Sequence, residues 1–206
     1  MRPPAVAGTF YPGNKEELEL ELRELFGGAP EEIVPRGKRL RAPLGLILPH
    51  AGYMYSGGVA AEGFVAAAAE GKPEAVIIFA TNHTGYGGAI TLGEPEAWVT
   101  PLGEVPVEDD LLKKLEKLPG TVRDRRAFIR EHSVEVQLPF IQYLFGAVPF
   151  VPAVVYTQNA TLIREFSRGL SEIVKGKPVW IIASSDFSHY EPQDVAVEKD
   201  RAALEE

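Results

Sequence analysis

The sequence predicts an α/β fold: a mixed, mainly parallel central sheet covered by helices on both faces, forming a single domain over residues 1–206. Two observations predict it. Four short runs of continuous apolar residues, "LGLILP", "AVIIFA", "FVPAVVY" and "PVWIIAS", have the pattern of strands buried on both sides. Between them lie segments of helical spacing, and strands alternating with helices build a mainly parallel sheet.

The elements follow in order. After "GTFYPG", the segment "NKEELELELRELFGG" reads as a helix, with Asn14 to cap it, leucines recurring on one face and Gly27 to end it. A Pro- and charge-rich connector runs to Arg41. "LGLILP" is a buried strand that ends at Pro49 and His50. Ser56 is placed to cap a small-residue helix, "GGVAAEGFVAAAAEG", whose alanines suit close packing on a sheet. "AVIIFA" runs straight into Thr81, Asn82 and His83. The Gly-rich turn "GYGG" leads to "AITLG" and "AWVTPLG", which read as a hairpin or extended edge. "VEDDLLKKLEKL" is an amphipathic helix, and "EHSVEVQLPFIQYLFG" another, with a break expected before Pro139. "FVPAVVY" is a strand, "TLIREFSRGLSEIV" a helix and "PVWIIAS" the next strand. "QDVAVEKDRAALEE" is a helix with no stop signal before Glu206.

Composition narrows the function classes. Of the 206 residues 45% are hydrophobic and 24% charged, an ordinary globular balance with enough chain to bury a sizeable core. Cysteine is absent, so there is no disulfide framework, which fits a cytoplasmic protein. The start, "MRPPAVAGTFYPG", has no apolar run of the signal-peptide kind, and no apolar stretch reaches the ~20 residues that span a bilayer. The formal net charge of −8 argues against nucleic acid as a partner. The one dense basic run, "RGKRLR" from Arg36 to Arg41, reads as a solvated loop.

The histidines carry the functional signal. There are four, and three of them, His50, His83 and His189, stand just beyond the C-terminal end of a predicted strand. In open α/β sheets that edge is where ligands bind, because its loops surround a crevice. "LPHAGY", "ATNHTG" and "SSDFSHY" are therefore expected to aim three imidazoles at one place. Neutral imidazole is the commonest side-chain metal ligand, and two or three His with a carboxylate suit Fe(II), Zn or Cu. Asp186, three residues before His189, suits orienting that ring as a general base or acid, or capping a turn. "REHSVEVQ" adds Glu131, His132 and Glu135. On a helix His132 and Glu135 share a face and could ligate a metal or support its ligands, or the motif could simply be a capped helix start.

Other chemistries lack their signatures. There is no G-x-S-x-G elbow, Walker A or H-E-x-x-H motif, and "GYGG" lacks dinucleotide-fingerprint spacing. A Ser-His-Asp arrangement of Ser184 or Ser185 with His189 and Asp186 is conceivable, but no serine is marked as a nucleophile.

Taken in order, "AGTFYPG", "LPHAGYMYSG", "TNHTG", "TPLGEV", "EHSVEVQLPF" and "SSDFSHY" resemble the motifs of the Memo-like family, the B component of the AmmeMemoRadiSam system. That family is similar to the class III extradiol dioxygenases of LigB-type fold. The resemblance runs from about Ala7 to about Tyr190. It implies an α/β fold around one metal pocket, with His50 and His83 as metal ligands and His189 as the catalytic histidine beside Asp186. Tyr53 and Tyr55 would line the pocket, near the His132 and Glu135 motif. Family members continue further and complete the site with a later cysteine or glutamate, so the resemblance implies that this chain lacks its C-terminal portion and that the third ligand falls beyond residue 206.

Two functions are then expected to compete. One is a non-heme iron or copper redox enzyme, dioxygenase-like, with His189 as acid–base. The other is a non-enzymatic peptide- or metal-binding protein using the same pocket, lined by Phe10, Tyr11, Tyr53 and Phe187. Metal-assisted hydrolysis is a weaker third. The resemblance also implies AMMECR1-like and radical-SAM proteins as partners, with a small molecule or peptide in the pocket and no role for membrane.

Overall fold

The structure is a computed structural model that describes residues 1–205. Its strands are β1 (Leu44–Leu48), β2 (Ala75–Thr81), β3 (Ile90–Leu92), β4 (Trp98–Thr100), β5 (Gly103–Val105), β6 (Thr121–Arg123), β7 (Phe150–Val155) and β8 (Val179–Ser184). Its α-helices are α1 (Lys15–Phe26), α2 (Pro30–Ile33), α3 (Gly58–Glu70), α4 (Asp109–Leu115), α5 (Leu138–Phe145), α6 (Ala160–Val174) and α7 (Gln193–Glu205). Six strands form one sheet in the order β1-β8-β2-β7-β3-β6, and β4 and β5 form a separate hairpin.

β1, β8, β2 and β7 are parallel neighbours; β3 runs antiparallel to β7 and parallel to β6. The four apolar runs thus pair in parallel, with β8, β2 and β7 buried inside the sheet; β1, expected to be buried, is instead the edge strand, its residues alternating between partly covered and exposed up to the buried Leu48, with Ile47 52% exposed. Side chains alternate between two apolar layers. Val76 and Ile78, with Trp180 and Ile182, face one layer; Ala75 and Ile77, with Val179, face the other. The first layer is closed by α1, α3 and α5 through Leu18, Leu22, Phe64 and Phe140, and the second by α4 and α6 through Leu112, Leu115 and Val174.

α1 begins and ends as its sequence requires: the Asn14 side chain accepts from the Glu17 N–H at 2.9 Å, and Gly27 takes a left-handed φ of 70°. α3 lies close on β1, because a Cβ at Gly63 would stand 2.4 Å from Leu48 Cδ2. No helix among the described residues is long and apolar enough to cross a membrane.

Two local expectations are corrected, one strand goes unread and one expected break is found. "AITLG" is not part of the edge hairpin; β3 joins the main sheet, because Ile90, Thr91 and Leu92 are buried against β7. β6, "TVR", has too little apolar pattern to be read from sequence, yet it pairs with β3. Ser56 does not cap α3; it lies inside a π-turn, Tyr53–Gly57, and its hydroxyl donates to Ala51 O at 3.3 Å. The break expected before Pro139 is found: a 3-10 turn, Glu135–Gln137, precedes α5, which begins at Leu138 and carries Pro139 at its second position, so "EHSVEVQ" is not part of the α-helix. Glu131 accepts the N–H groups of His132 and Ser133, as a capping side chain does for N–H groups that have no carbonyl partner at the start of a turn.

Candidate metal centre

Three imidazoles meet at the C-terminal edge of the parallel strands. His50 leaves β1 after Pro49, His83 leaves β2 after Asn82, and His132 arrives on the turn before α5. Each offers a ring nitrogen, and these atoms lie within 4.8 Å of one another, a group that could hold a metal ion. The His83 and His132 rings stack at 4.4 Å between centroids, and His50 stands edge-on to both, at 5.4 and 5.6 Å. His50 is buried, His132 half-buried and His83 exposed. The cluster therefore has a closed floor and an open rim.

Two of the three rings are held from behind. Glu131, with a side chain of 0% exposure, accepts from the His83 backbone N–H and from His83 Nδ1, both at 2.8 Å. It also accepts from the N–H groups of His132 (3.0 Å) and Ser133 (3.1 Å), with the Ser133 hydroxyl 2.8 Å away. One carboxylate thus fixes two of the three histidine-bearing loops.

His50 is fixed through Ser184, the last residue of β8. The Ser184 hydroxyl donates to Ser133 O at 2.7 Å and accepts from Gln137 Nε2 at 2.9 Å. Its single proton is then spent, so the contact with His50 Nδ1 at 2.9 Å must be a bond that Nδ1–H donates. Both tautomers follow: His50 and His83 carry their proton on Nδ1, and Nε2 keeps the lone pair. Gln137 is oriented in turn by its bond to Pro49 O at 2.8 Å.

Asn82 shapes the His83 loop. Its side-chain oxygen accepts from Thr84 N (3.1 Å), Thr84 Oγ1 (2.9 Å) and Gly85 N (2.9 Å), and its amide donates to Tyr86 O at 2.8 Å. A Cβ at Gly87, where φ is +95°, would stand 2.1 Å from Thr91 Oγ1, so only glycine lets the loop fold back over β3.

Burial pushes the His50 imidazolium pKa down to about 4, with His132 and His83 adding to the effect and Asp186 opposing it. Burial, with His83, also lowers His132. His83 is raised, chiefly by its bond to Glu131. Burial alone would raise the Glu131 carboxyl, but the bonds from His83 and Ser133 together outweigh it and hold it at about 2. At neutral pH, then, His50 and His132 are neutral imidazoles and Glu131 is an anion behind His83.

The family model for Memo-like protein matches residues 2–206. The chain belongs to the Memo-like family. It is 44% identical to a MEMO1 family protein of Ignicoccus hospitalis over all of this chain and 74% of the relative. It is 43% identical to one of Pyrobaculum arsenaticum, covering 99% of this chain and 74% of the relative. A MEMO1 family protein of Thermotoga neapolitana is 41% identical, over all of this chain and 76% of the relative.

In this Memo-like chain the residues picked out by sequence separate into three groups. His50, His83 and His132 come together. Asp186 and His189 sit beside them: Asp186 Oδ2 is 3.7 Å from His50 Nε2 and 3.5 Å from His189 Nε2. Asp186 also does something its spacing to His189 does not suggest. Its Oδ1 accepts from the backbone N–H groups of His50 and Ala51 (the latter at 3.0 Å), tying the β8 loop to the β1 loop. His189 lies on the rim with its side chain 56% exposed, and its Nδ1 donates to Phe187 O at 2.8 Å.

Tyr53, Tyr55 and Glu135 lie elsewhere. Tyr53 is buried in the core against Phe140, its hydroxyl donating to Val136 O at 2.8 Å, because the π-turn points it inward. The same turn points Tyr55 outward, 78% exposed. Glu135 does not share a face with His132, since the segment is not a helix there. Its carboxylate accepts from Arg2 Nη1 (2.6 Å), the N–H groups of Ala5 (2.8 Å) and Val6 (3.0 Å), and the Tyr11 hydroxyl (2.6 Å). It anchors the N-terminal segment, which in turn lays Phe10 against His132 at 4.7 Å between ring centroids.

Ser184 is no nucleophile, because it is buried with its hydroxyl fully engaged. Glu131, Ser184 and Gln137 are the residues whose roles sequence reasoning missed. Only Glu131 had a signal, as a carboxylate directly before His132 in "EHS".

Proposed function

We propose that this chain holds a divalent redox metal, iron or copper, at His50, His83 and His132, as a non-heme oxidoreductase related to the extradiol dioxygenases. The observation that carries the reading is the fixed tautomer of two of the three rings. Ser184 and Glu131 occupy Nδ1 of His50 and His83, so both present Nε2 as a ligand atom, the arrangement that metal-bound histidines adopt with an outer hydrogen-bond acceptor. The donor set fits: neutral imidazoles suit iron and copper, and Asp186 Oδ2, which makes no hydrogen bond, stands close enough to add an anionic oxygen. When bound, such a metal supplies Lewis-acid and one-electron chemistry.

The chain's own residues do the rest. The buried floor at His50 excludes water from one side, while the rim at His83 admits a substrate. His189 is the proposed proton carrier. Its Nδ1–H is given to Phe187 O, which leaves Nε2, beside Asp186, to take a proton from a substrate at the rim or return one.

A second reading, a binding protein without turnover, is favoured by one observation: the His189 side chain is 56% exposed, outside the three-ring group. Metal analysis of protein purified without added metal tests the main reading. About one equivalent of iron or copper per chain is expected, lost in His83→Ala. Protein that purifies free of metal and takes up neither ion in anaerobic titration overturns it.

A further inference from the structure

A cleft of about 600 Å³ opens against His83, lined by Thr84, Tyr86, Arg126, Ile129 and Arg130. None of these five contributes a ring to the three-imidazole group. The volume is that of a small-molecule site. Its walls are of two kinds. Tyr86 and Ile129 are large apolar side chains left 51% and 57% exposed. Arg126 and Arg130 bring two guanidinium groups, in a chain whose formal net charge is −8.

The two arginines are not equivalent. Arg126 is neutralised by Asp124: its Nη2 lies 2.7 Å from Oδ2 and its Nε 3.0 Å from Oδ1. It also stands over the Tyr86 ring, 5.2 Å from the centroid, and so works as a wall that holds Tyr86 in place. Arg130 makes no hydrogen bond or ion pair to any described residue, so its charge is free for a ligand. Its backbone is nonetheless held, because the next residue is Glu131, the buried carboxylate that holds the His83 and His132 loops, and its exposed side chain can swing onto a ligand in the cleft.

We propose that this cleft binds the substrate as a small organic anion: an apolar, ring-sized body between Tyr86 and Ile129, with a carboxylate on Arg130. Its far end would reach the rim at His83. The inference rests on the metal-centre reading for what happens at that rim, but not for the binding itself. A guanidinium pairs with a carboxylate through two parallel N–H···O bonds, which gives orientation as well as affinity.

The test uses the metal-free protein and benzoate as probe, with benzamide as its uncharged isostere and inorganic phosphate as an anion without an apolar body. Backbone N–H shifts are followed by NMR. Benzoate is expected to move the signals of residues 83–86 and 129–131, and benzamide and phosphate to leave them nearly unmoved. Arg130→Gln should weaken benzoate by about tenfold or more, as loss of a charge-assisted pair does, while Arg126→Gln weakens it less. Arg130 is exposed, so its variant should fold, and an unchanged melting curve checks that it does. Equal binding of benzoate and benzamide, unaltered benzoate affinity in Arg130→Gln, or shifts confined to other surfaces would each overturn the proposal. Phosphate binding as tightly as benzoate would overturn the part played by Tyr86 and Ile129. No metal is present in these titrations, so their failure would leave the metal-centre reading standing, and failure of metal uptake would leave this one standing.

Discussion

Glu131 and His83 are joined twice, once through the ring at Nδ1 and once through the backbone N–H, both at 2.8 Å. A single buried carboxylate therefore sets the tautomer of the imidazole and the path of the loop that carries it. Replacing it with Gln should separate the two roles. Glu131→Gln keeps the size but cannot stay an anion, so His83 loses the partner that makes it a better ligand. Metal affinity is expected to fall by about 10–100-fold. Anaerobic titration against the parent protein measures this, and unchanged affinity would show that Glu131 is only a loop staple.

Ser184→Ala removes a hydroxyl that serves three groups at once. His50 Nδ1–H, the Gln137 amide and Ser133 O each lose a partner inside the core. The cost should be about 1–3 kcal/mol for each group left without a partner, read from urea denaturation. Nitrogen NMR of the His50 ring should also lose its single tautomer. A variant as stable as the parent, with the Nδ1–H form still dominant, would contradict the tautomer argument.

Acid should loosen the metal-free protein before it reaches the carboxylate range. His50 is held at about 4 in the fold against 6.5 when free, so between those values the unfolded chain binds more protons. Stability therefore rises with pH across that window and falls as pH drops through it, by on the order of 3 kcal/mol in full. His132 is also lowered and acts in the same sense. His83 is raised and acts in the opposite sense: its contribution is complete below 6.5 and is lost as pH rises through its folded value. Glu131, at about 2, adds stability that is complete above 4.5 and is lost only in stronger acid. Denaturation midpoints at pH 7, 5.5 and 4.5 should fall in that order, with a flatter profile in His50→Gln. A flat profile in the parent would contradict it.

His83→Ala and His132→Ala should each abolish tight metal binding without unfolding the chain, because both rings stand at the loop edge rather than in the core. His189→Ala should keep the metal and lose turnover, since His189 is outside the three-ring group. Metal stoichiometry on each purified variant decides this. Loss of metal in His189→Ala would make that ring a ligand and remove it from the acid–base role.

Glu135→Ala should release the N-terminal segment. The Arg2 guanidinium would be left buried and uncompensated, an effect worth about 3–5 kcal/mol. Hydrogen exchange over residues 2–11 should rise well above that of α1, and Phe10 should leave His132. Continued protection of that segment would show that Arg2, through its bonds to Phe128 O and Glu131 O, suffices alone.

The sequence by itself determined the parallel centre of the sheet, because strands buried on both faces must be apolar without interruption, as "AVIIFA" and "PVWIIAS" are. It also determined that His50 and His83 share an edge, since each follows such a strand directly and parallel strands end on the same side. The tertiary structure alone decided the third imidazole. His132 follows no strand; it reaches the site because Glu131 ties its turn to the His83 loop, and a carboxylate's hydrogen-bond partners, one of them 48 residues away in sequence, leave no local pattern. The same holds for Glu135, whose spacing from His132 is helical while its partners lie at residues 2–11. Only tertiary contacts decided that Tyr53 is core and Tyr55 surface, because a π-turn has no side-chain period to read. Local periodicity encodes which face is apolar; which buried charge answers which distant loop is settled only when desolvation forces each polar group to find a partner.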